Sequence, residues 1–225
     1  MDTKARRPPP FLLLTLTGAL FAAQAVAQDA AAAKFVTYYQ SAFAQGRDLI
    51  PAPQAGLNIA SIATDLRLET VKPVSALTGN SFLDASSDVV KLVGIQGCLS
   101  TEQLDFMGNK ASCTMISLAG MTASLKQAQA DAGDAFPCHF VGQNSGRPNV
   151  RFAECFFTEN DIVQSLSETM IRKGVVFAAR DRAGRPIFPE YAKAEDEARL
   201  AKTGIWANPY FKHPYGERYR ANPTN

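Results

Sequence analysis

The 225-residue chain lacks several marks that would assign it quickly. It has no Cys-x-x-Cys pair among its four cysteines, which argues against a zinc ribbon or a dithiol redox centre. It has no Cys-x-x-Cys-His haem site, no P-loop, no dinucleotide fingerprint and no recognisable Ser/His/Asp order. It has no repeat, and no low-complexity block beyond an alanine-rich run near residue 30. Beyond the N-terminus no stretch is long and apolar enough to span a bilayer. With 46% apolar and 20% charged residues, it reads as globular rather than disordered, collagen-like or polytopic.

Charge of one sign is also missing. The first 27 residues hold three of the 23 basic residues and one of the 21 acidic ones, so the remainder is neutral. A dedicated nucleic-acid binder usually carries a clear basic excess. The balance is uneven along the chain: residues 28–170 hold 9 basic and 14 acidic side chains, and residues 171–225 hold 11 and 6. The bland reading of the basic C-terminal part is a solvated surface, and the alternative is a face that meets an anion.

What is present begins with an export pattern. Lys4, Arg6 and Arg7 precede an apolar run from Phe11 to Ala23, and Ala25-Val26-Ala27 fits a cleavage site after Ala27. The expectation is a signal peptide over 1–27 and a periplasmic or secreted protein. In an oxidising compartment Cys98, Cys113, Cys138 and Cys155 read as two disulfides, with three connectivities open. Sequential pairing closes two short loops, each worth roughly 3 kcal/mol through the unfolded chain.

Residues 28–70 read as an extension: a helix with Phe35, Val36, Tyr39 and Phe43 on one side, then an irregular segment with Pro51, Pro53 and Gly56. From Val71 the pattern turns strand-like. Short strands are predicted at 74–77 and 81–83, and one continuous strand from Val89 to Ile95. A helix is predicted over 112–130, with Met115, Leu118, Thr122 and Leu125 as its apolar stripe. Two strands follow, at 138–142 and 150–157, joined by Asn144-Ser145-Gly146-Arg147-Pro148. Thr158-Glu159-Asn160-Asp161 suggests a capping box for a helix that ends at Gly174. A strand at 175–179 and a charged helix over 189–202 complete the order, which suits a small barrel with attached helices. Glu195-Asp196-Glu197 reads as a solvated helix face, Trp206 as a core anchor and His139 as a packed or surface side chain. The basic, aromatic tail 209–225 reads either as packed coil or as a docking segment.

These segments together resemble the staphylococcal-nuclease-like, or thermonuclease, family over residues 71–208. The carriers are Leu77-Thr78-Gly79-Asn80-Ser81-Phe82, then Val90-Lys91-Leu92-Val93-Gly94-Ile95, then Met170-Ile171-Arg172-Lys173-Gly174-Val175-Val176. The closing helix with Tyr191, Glu195, Ala198 and Lys202 runs into Gly204-Ile205-Trp206. The resemblance implies an α+β, mainly β fold: a five-stranded OB-type barrel with about three helices. The cysteines resemble an exported bacterial subset, which implies the pairs Cys98–Cys113 and Cys138–Cys155.

The family cuts phosphodiesters with Ca²⁺, using carboxylate ligands, two arginines and a glutamate. Here the resemblance places Thr78 and Asn80 where it expects aspartates, Lys91 for the strand arginine and Gln96 for the strand-end aspartate. Cys98-Leu99 stand where a Pro-Glu pair would follow. Arg147 alone keeps its type. Neutral Asn and Gln oxygens do not balance a divalent cation, and Lys91 lacks the bidentate fork of arginine. The implied protein is a nuclease-like module without a cofactor, binding a protein, a polysaccharide or a nucleic acid in the envelope. The competing expectation is a Ca²⁺-dependent nuclease in which Asp84, Asp88 or Glu102 stands in for the lost carboxylates. A third places the function in the 28–70 extension.

Overall fold

In the computed structural model the described residues are 54–55, 62–63, 65–159 and 162–213. The expected signal peptide with its Ala27 site, the 28–46 helix and residues 214–225 of the tail lie outside them. The fold is mixed α+β, a curled half-barrel sheet with three helices among the described residues.

The strands are β1 (Gln54–Ala55), β2 (Glu69–Val71), β3 (Pro73–Thr78), β4 (Ser81–Asp84), β5 (Val89–Leu92), β6 (Ile95–Gly97), β7 (Gln103–Phe106) and β8 (Asn109–Ser112). After helix α1 (Cys113–Ala132) come β9 (Phe136–Asn144), β10 (Arg147–Glu159) and β11 (Ile162–Ser165). Helix α2 (Leu166–Arg172), β12 (Val176–Ala178), helix α3 (Pro189–Leu200) and a 3₁₀ turn (Gly204–Ala207) close the order. The main sheet has eight strands, several only two to four residues long. Its path runs β1-β11-β10-β5-β4-β3, with β9 beside β10 and β2 beside β9. β12 pairs separately with β6, and β7 with β8.

Several elements depart from the sequence reading for local reasons. The strand predicted from Val89 to Ile95 is two strands. Gly94 takes φ +72°, and a Cβ there would lie 2.5 Å from the Phe188 ring, so the chain bends where only glycine fits. The helix foreseen after Thr158 starts later. β10 runs through Glu159, the β-branched Ile162 and Val163 sit in β11, and α2 is capped by Ser165, whose Oγ accepts the Glu168 N–H at 3.1 Å. Asn160 and Asp161 lie outside the described residues. Helix α1 stands where predicted, capped by Ser112 and ended by Gly133, but its inner face is Ile116, Met121, Leu125 and Ala128. Met115 is exposed, so the expected stripe was rotated. The β7–β8 hairpin was not foreseen.

One core fills the half-barrel, with Phe82, Phe136, Phe156, Phe157, Met121 and Tyr191 fully buried. Ile62 and Leu66 pack in it, so residues before the expected boundary at 70/71 join the same core, and β2 crosses that boundary. A second cluster gathers Cys98, Leu104, Cys113, Ile116, Phe177 and Ile205 under the β7–β8 hairpin. Disulfides join Cys98 to Cys113 and Cys138 to Cys155, the pairing the resemblance implied. Two disulfides point to an oxidising, extracytoplasmic environment. No helix among the described residues is long and apolar enough to cross a membrane.

Candidate functional site

The fold brings three of the four singled-out positions together. The turn between β3 and β4 carries Asn80, and register sets Lys91 of β5 opposite Ser81 of β4. The Leu92 N–H donates to the Asn80 carbonyl at 2.9 Å, and Asn80 Nδ2 donates to the Ile95 carbonyl at 3.3 Å. Gln96 follows directly on β6, its Nε2 donating to the Gly97 carbonyl at 3.1 Å. Asn80 is buried and Lys91 is exposed.

The turn is closed on itself. The Thr78 hydroxyl donates to Asn80 Oδ1 at 2.9 Å and lies 2.6 Å from the Ser81 hydroxyl. It also accepts the Asn80 N–H at 3.3 Å. Gly79 is wedged between Gly97 and α1: a Cβ there would stand 2.0 Å from Ser117 Oγ and 3.1 Å from Gly97 Cα. Ser117 Oγ also accepts the Cys98 N–H at 3.2 Å, so it is not free to yield. Gly79→Ala is therefore expected to cost about 1–3 kcal/mol by overpacking, read as a lowered urea midpoint with an unchanged slope.

Arg147 is not part of this group. It pairs with Asn144 at the tip of the β9–β10 hairpin, while the parallel β5–β10 register places Phe152 beside Lys91. A register irregularity between Arg147 and Arg151 separates the hairpin tip from the stretch of β10 that pairs with β5. The arginine nearer the β5–β10 ladder is Arg151, aligned with Val90. Its guanidinium meets both Glu69 oxygens at 2.9 and 2.8 Å, lies 3.8 Å from Asp88 and covers the Phe140 ring at 3.4 Å.

The three stand-in carboxylates are placed elsewhere. Asp84 Oδ1 accepts the N–H groups of Ser86 and Asp88, both at 2.9 Å, and so shapes the β4–β5 turn. That turn lies at the far end of the β4–β5 pair from Asn80. Asp88 faces Arg151, and Glu102 is exposed in the loop after Cys98. Among the described residues no group of three or more His, Cys, Asp or Glu side chains is set to hold a metal ion. Ca²⁺ does not fit the residues at the turn: the donors are neutral, and Asn80 Oδ1 already accepts a hydroxyl. What the face offers is an exposed ammonium on Lys91 beside uncharged polar groups.

The sequence reading missed two buried acidic centres. Glu154 on β10 is fully buried, and burial raises its pKa from 4.5 to about 7 against the pull of hydrogen bonds from Ser165 and Tyr191. Its signal was a lone carboxylate inside the apolar run Phe152-Ala153-Glu154-Cys155-Phe156-Phe157. Glu195, read as solvated, is also fully buried. It sits four residues after the buried Tyr191 on the inner face of α3, and of the three consecutive acidic residues Asp196 and Glu197 keep contact with solvent. Its carboxylate meets the Ala178 N–H, His213 Nε2 at 3.1 Å and the Arg180 guanidinium at 3.8 Å.

The histidines are occupied structurally. His139 Nδ1 meets the Leu66 carbonyl. His213 stacks on Trp206 and meets the edge of Phe177, so the first part of the tail is packed coil. Burial also raises the Glu168 pKa, although Arg172 bonds its carboxylate at 2.7 Å.

No protein-family model matches the chain, and no curated protein matches it.

Proposed function

We propose that the chain is an exported, disulfide-bonded member of the staphylococcal-nuclease-like group, with an OB-type barrel, that has lost Ca²⁺-dependent phosphodiester hydrolysis. It acts as a binding or structural module of the bacterial envelope. One observation carries the reading. The turn that would hold the metal is the self-bonded Thr78-Asn80-Ser81 cluster, pinned to the Ile95 carbonyl, with no carboxylate in it. The curled sheet, the cysteine pairing and the order of elements support the barrel. The disulfides support export, and the pattern ending at Ala27 supports a cleaved signal peptide that leaves the protein in the periplasm or outside the cell.

With Lys91 exposed beside neutral polar groups, the face suits an anionic or polyhydroxylated chain: a nucleic acid, a polysaccharide or an acidic surface of an envelope protein. Binding there needs no metal. The test is incubation of the purified, disulfide-bonded chain with single-stranded DNA and RNA, in Ca²⁺ and in chelator, beside Lys91→Ala. The expected result is no chelator-sensitive cleavage. Chelator-sensitive cleavage that disappears in Lys91→Ala would overturn the reading and restore a nuclease with a displaced site.

A further inference from the structure

Glu154 stands at a junction of three elements and is used by nothing described so far. From the end of β11, Ser165 donates to its Oε1 at 2.7 Å. From the first turn of α3, Tyr191 donates to its Oε2 at 2.7 Å. Ser167, in the first turn of α2, is buried, and its hydroxyl has no hydrogen-bond partner among the described residues. The Ser165 and Tyr191 hydroxyls are 3.2 Å apart, and Ser165 Oγ is also the N-cap of α2. One carboxyl thus ties β10 to the starts of both α2 and α3. The groups that hold it are two hydroxyls.

The other ionisable groups on the surrounding elements are committed elsewhere. His139, opposite Glu154 on β9, meets the Leu66 carbonyl. Glu168 on α2 is bonded to Arg172. Glu195, one turn along α3 from Tyr191, is engaged by Arg180 and His213.

We infer that Glu154 is a proton-operated latch: its neutral carboxyl fastens α2 and α3 to the sheet, and its ionisation loosens both. Charging a carboxylate in a site without a cation carries a desolvation penalty that hydroxyl donors only partly offset. Ionisation does not break the Ser165 and Tyr191 bonds, which favour the charged form; the buried charge itself favours states in which the packing of α2 and α3 on β10 opens to water. Burial gives the sign. The folded group keeps its proton up to about pH 7, and the unfolded one loses it near 4.5. Folding therefore takes up a proton between those values. The stabilisation is full below pH 4.5 and lost above 7, about 300-fold in the folding constant across the window.

The experiment is urea unfolding of the disulfide-bonded chain at pH 5 and pH 8, wild type beside Glu154→Gln. Glutamine is an uncharged isostere of the protonated acid. The gap between the two proteins is expected to move by about 70-fold in favour of the glutamine variant from pH 5 to pH 8. Parallel pH profiles would overturn the latch. Should the variant fail to fold, the Glu154 carboxyl carbon is titrated by NMR in the wild type. A midpoint near 7 supports the latch, and one below 5 overturns it. Amide exchange locates the effect: protection lost at pH 8 in α2 and α3 supports the latch, and protection lost equally across β9 and β10 contradicts it.

Discussion

Glu195→Ala is expected to destabilise the protein by about 3–5 kcal/mol, the largest effect of any single substitution considered. The carboxylate serves three partners from three places: the Ala178 N–H on β12, the Arg180 guanidinium just after it, and His213 in the C-terminal segment. The Arg180 side chain is 1% exposed, so removing Glu195 leaves a buried cation with less to balance it. Arg180 keeps its bond to the Gly184 carbonyl at 3.2 Å, which holds the loop but supplies no charge. The Ala178 amide also loses its acceptor, worth about 1–3 kcal/mol when left buried. Glu195→Gln keeps the shape and one acceptor oxygen and is expected to cost less. Urea unfolding of both variants checks the order, and a loss under about 1 kcal/mol for the alanine variant contradicts the account of this centre.

Removing the Cys138–Cys155 bridge, as Cys138→Ala with Cys155→Ala, is expected to cost about 3 kcal/mol. The bond spans 17 residues of sequence, and the loop-entropy estimate for that length is about 3 kcal/mol. Both cysteines are fully buried and directly opposite in the β9–β10 pair, so the double alanine variant also leaves the core short of two sulfur atoms. Cys98–Cys113 spans 15 residues and carries a similar entropic term. Its loss is expected to show locally as well, because those cysteines anchor the cluster of Leu104, Ile116, Phe177 and Ile205 beneath the β7–β8 hairpin. Equilibrium unfolding of each double variant gives the global cost, and amide exchange over residues 98–113 gives the local one. No change in stability on removing Cys138–Cys155 contradicts the reading of that bridge as a main staple of the sheet.

Much of the chain order was legible because period and punctuation agree in it. The β3–β4 hairpin, helix α1, the long β9–β10 hairpin and helix α3 all stand where alternation, helical spacing and Gly or Pro breaks placed them. The breaks in that legibility have tertiary causes. Gly94 looks like one more residue of a strand until Phe188 and Tyr191 fill the space beside it. The capping box at Thr158 lost to the pairing of β10 with β11, and Ser165 with Glu168 offered the same chemistry seven residues later. Glu195 reads as a solvated charge and Glu154 drew no reading, because only the packed fold shows Arg180, His213, Ser165 and Tyr191 gathered around them. At the candidate site, sequence grouped Asn80, Lys91 and Gln96 with Arg147. Backbone register joins the first three and sets Arg147 at a hairpin tip.

The central claim is that the face around Asn80, Lys91 and Gln96 does not bind a divalent cation. The direct measurement is a Ca²⁺ titration of the disulfide-bonded protein to millimolar concentration, followed by backbone amide shifts and repeated with a 5′-phosphorylated oligonucleotide present. The account predicts no saturable Ca²⁺-dependent shift at Asn80, Ser81, Lys91, Ile95 or Gln96, with or without the oligonucleotide. Saturable shifts centred on those residues, abolished by chelator, would contradict it.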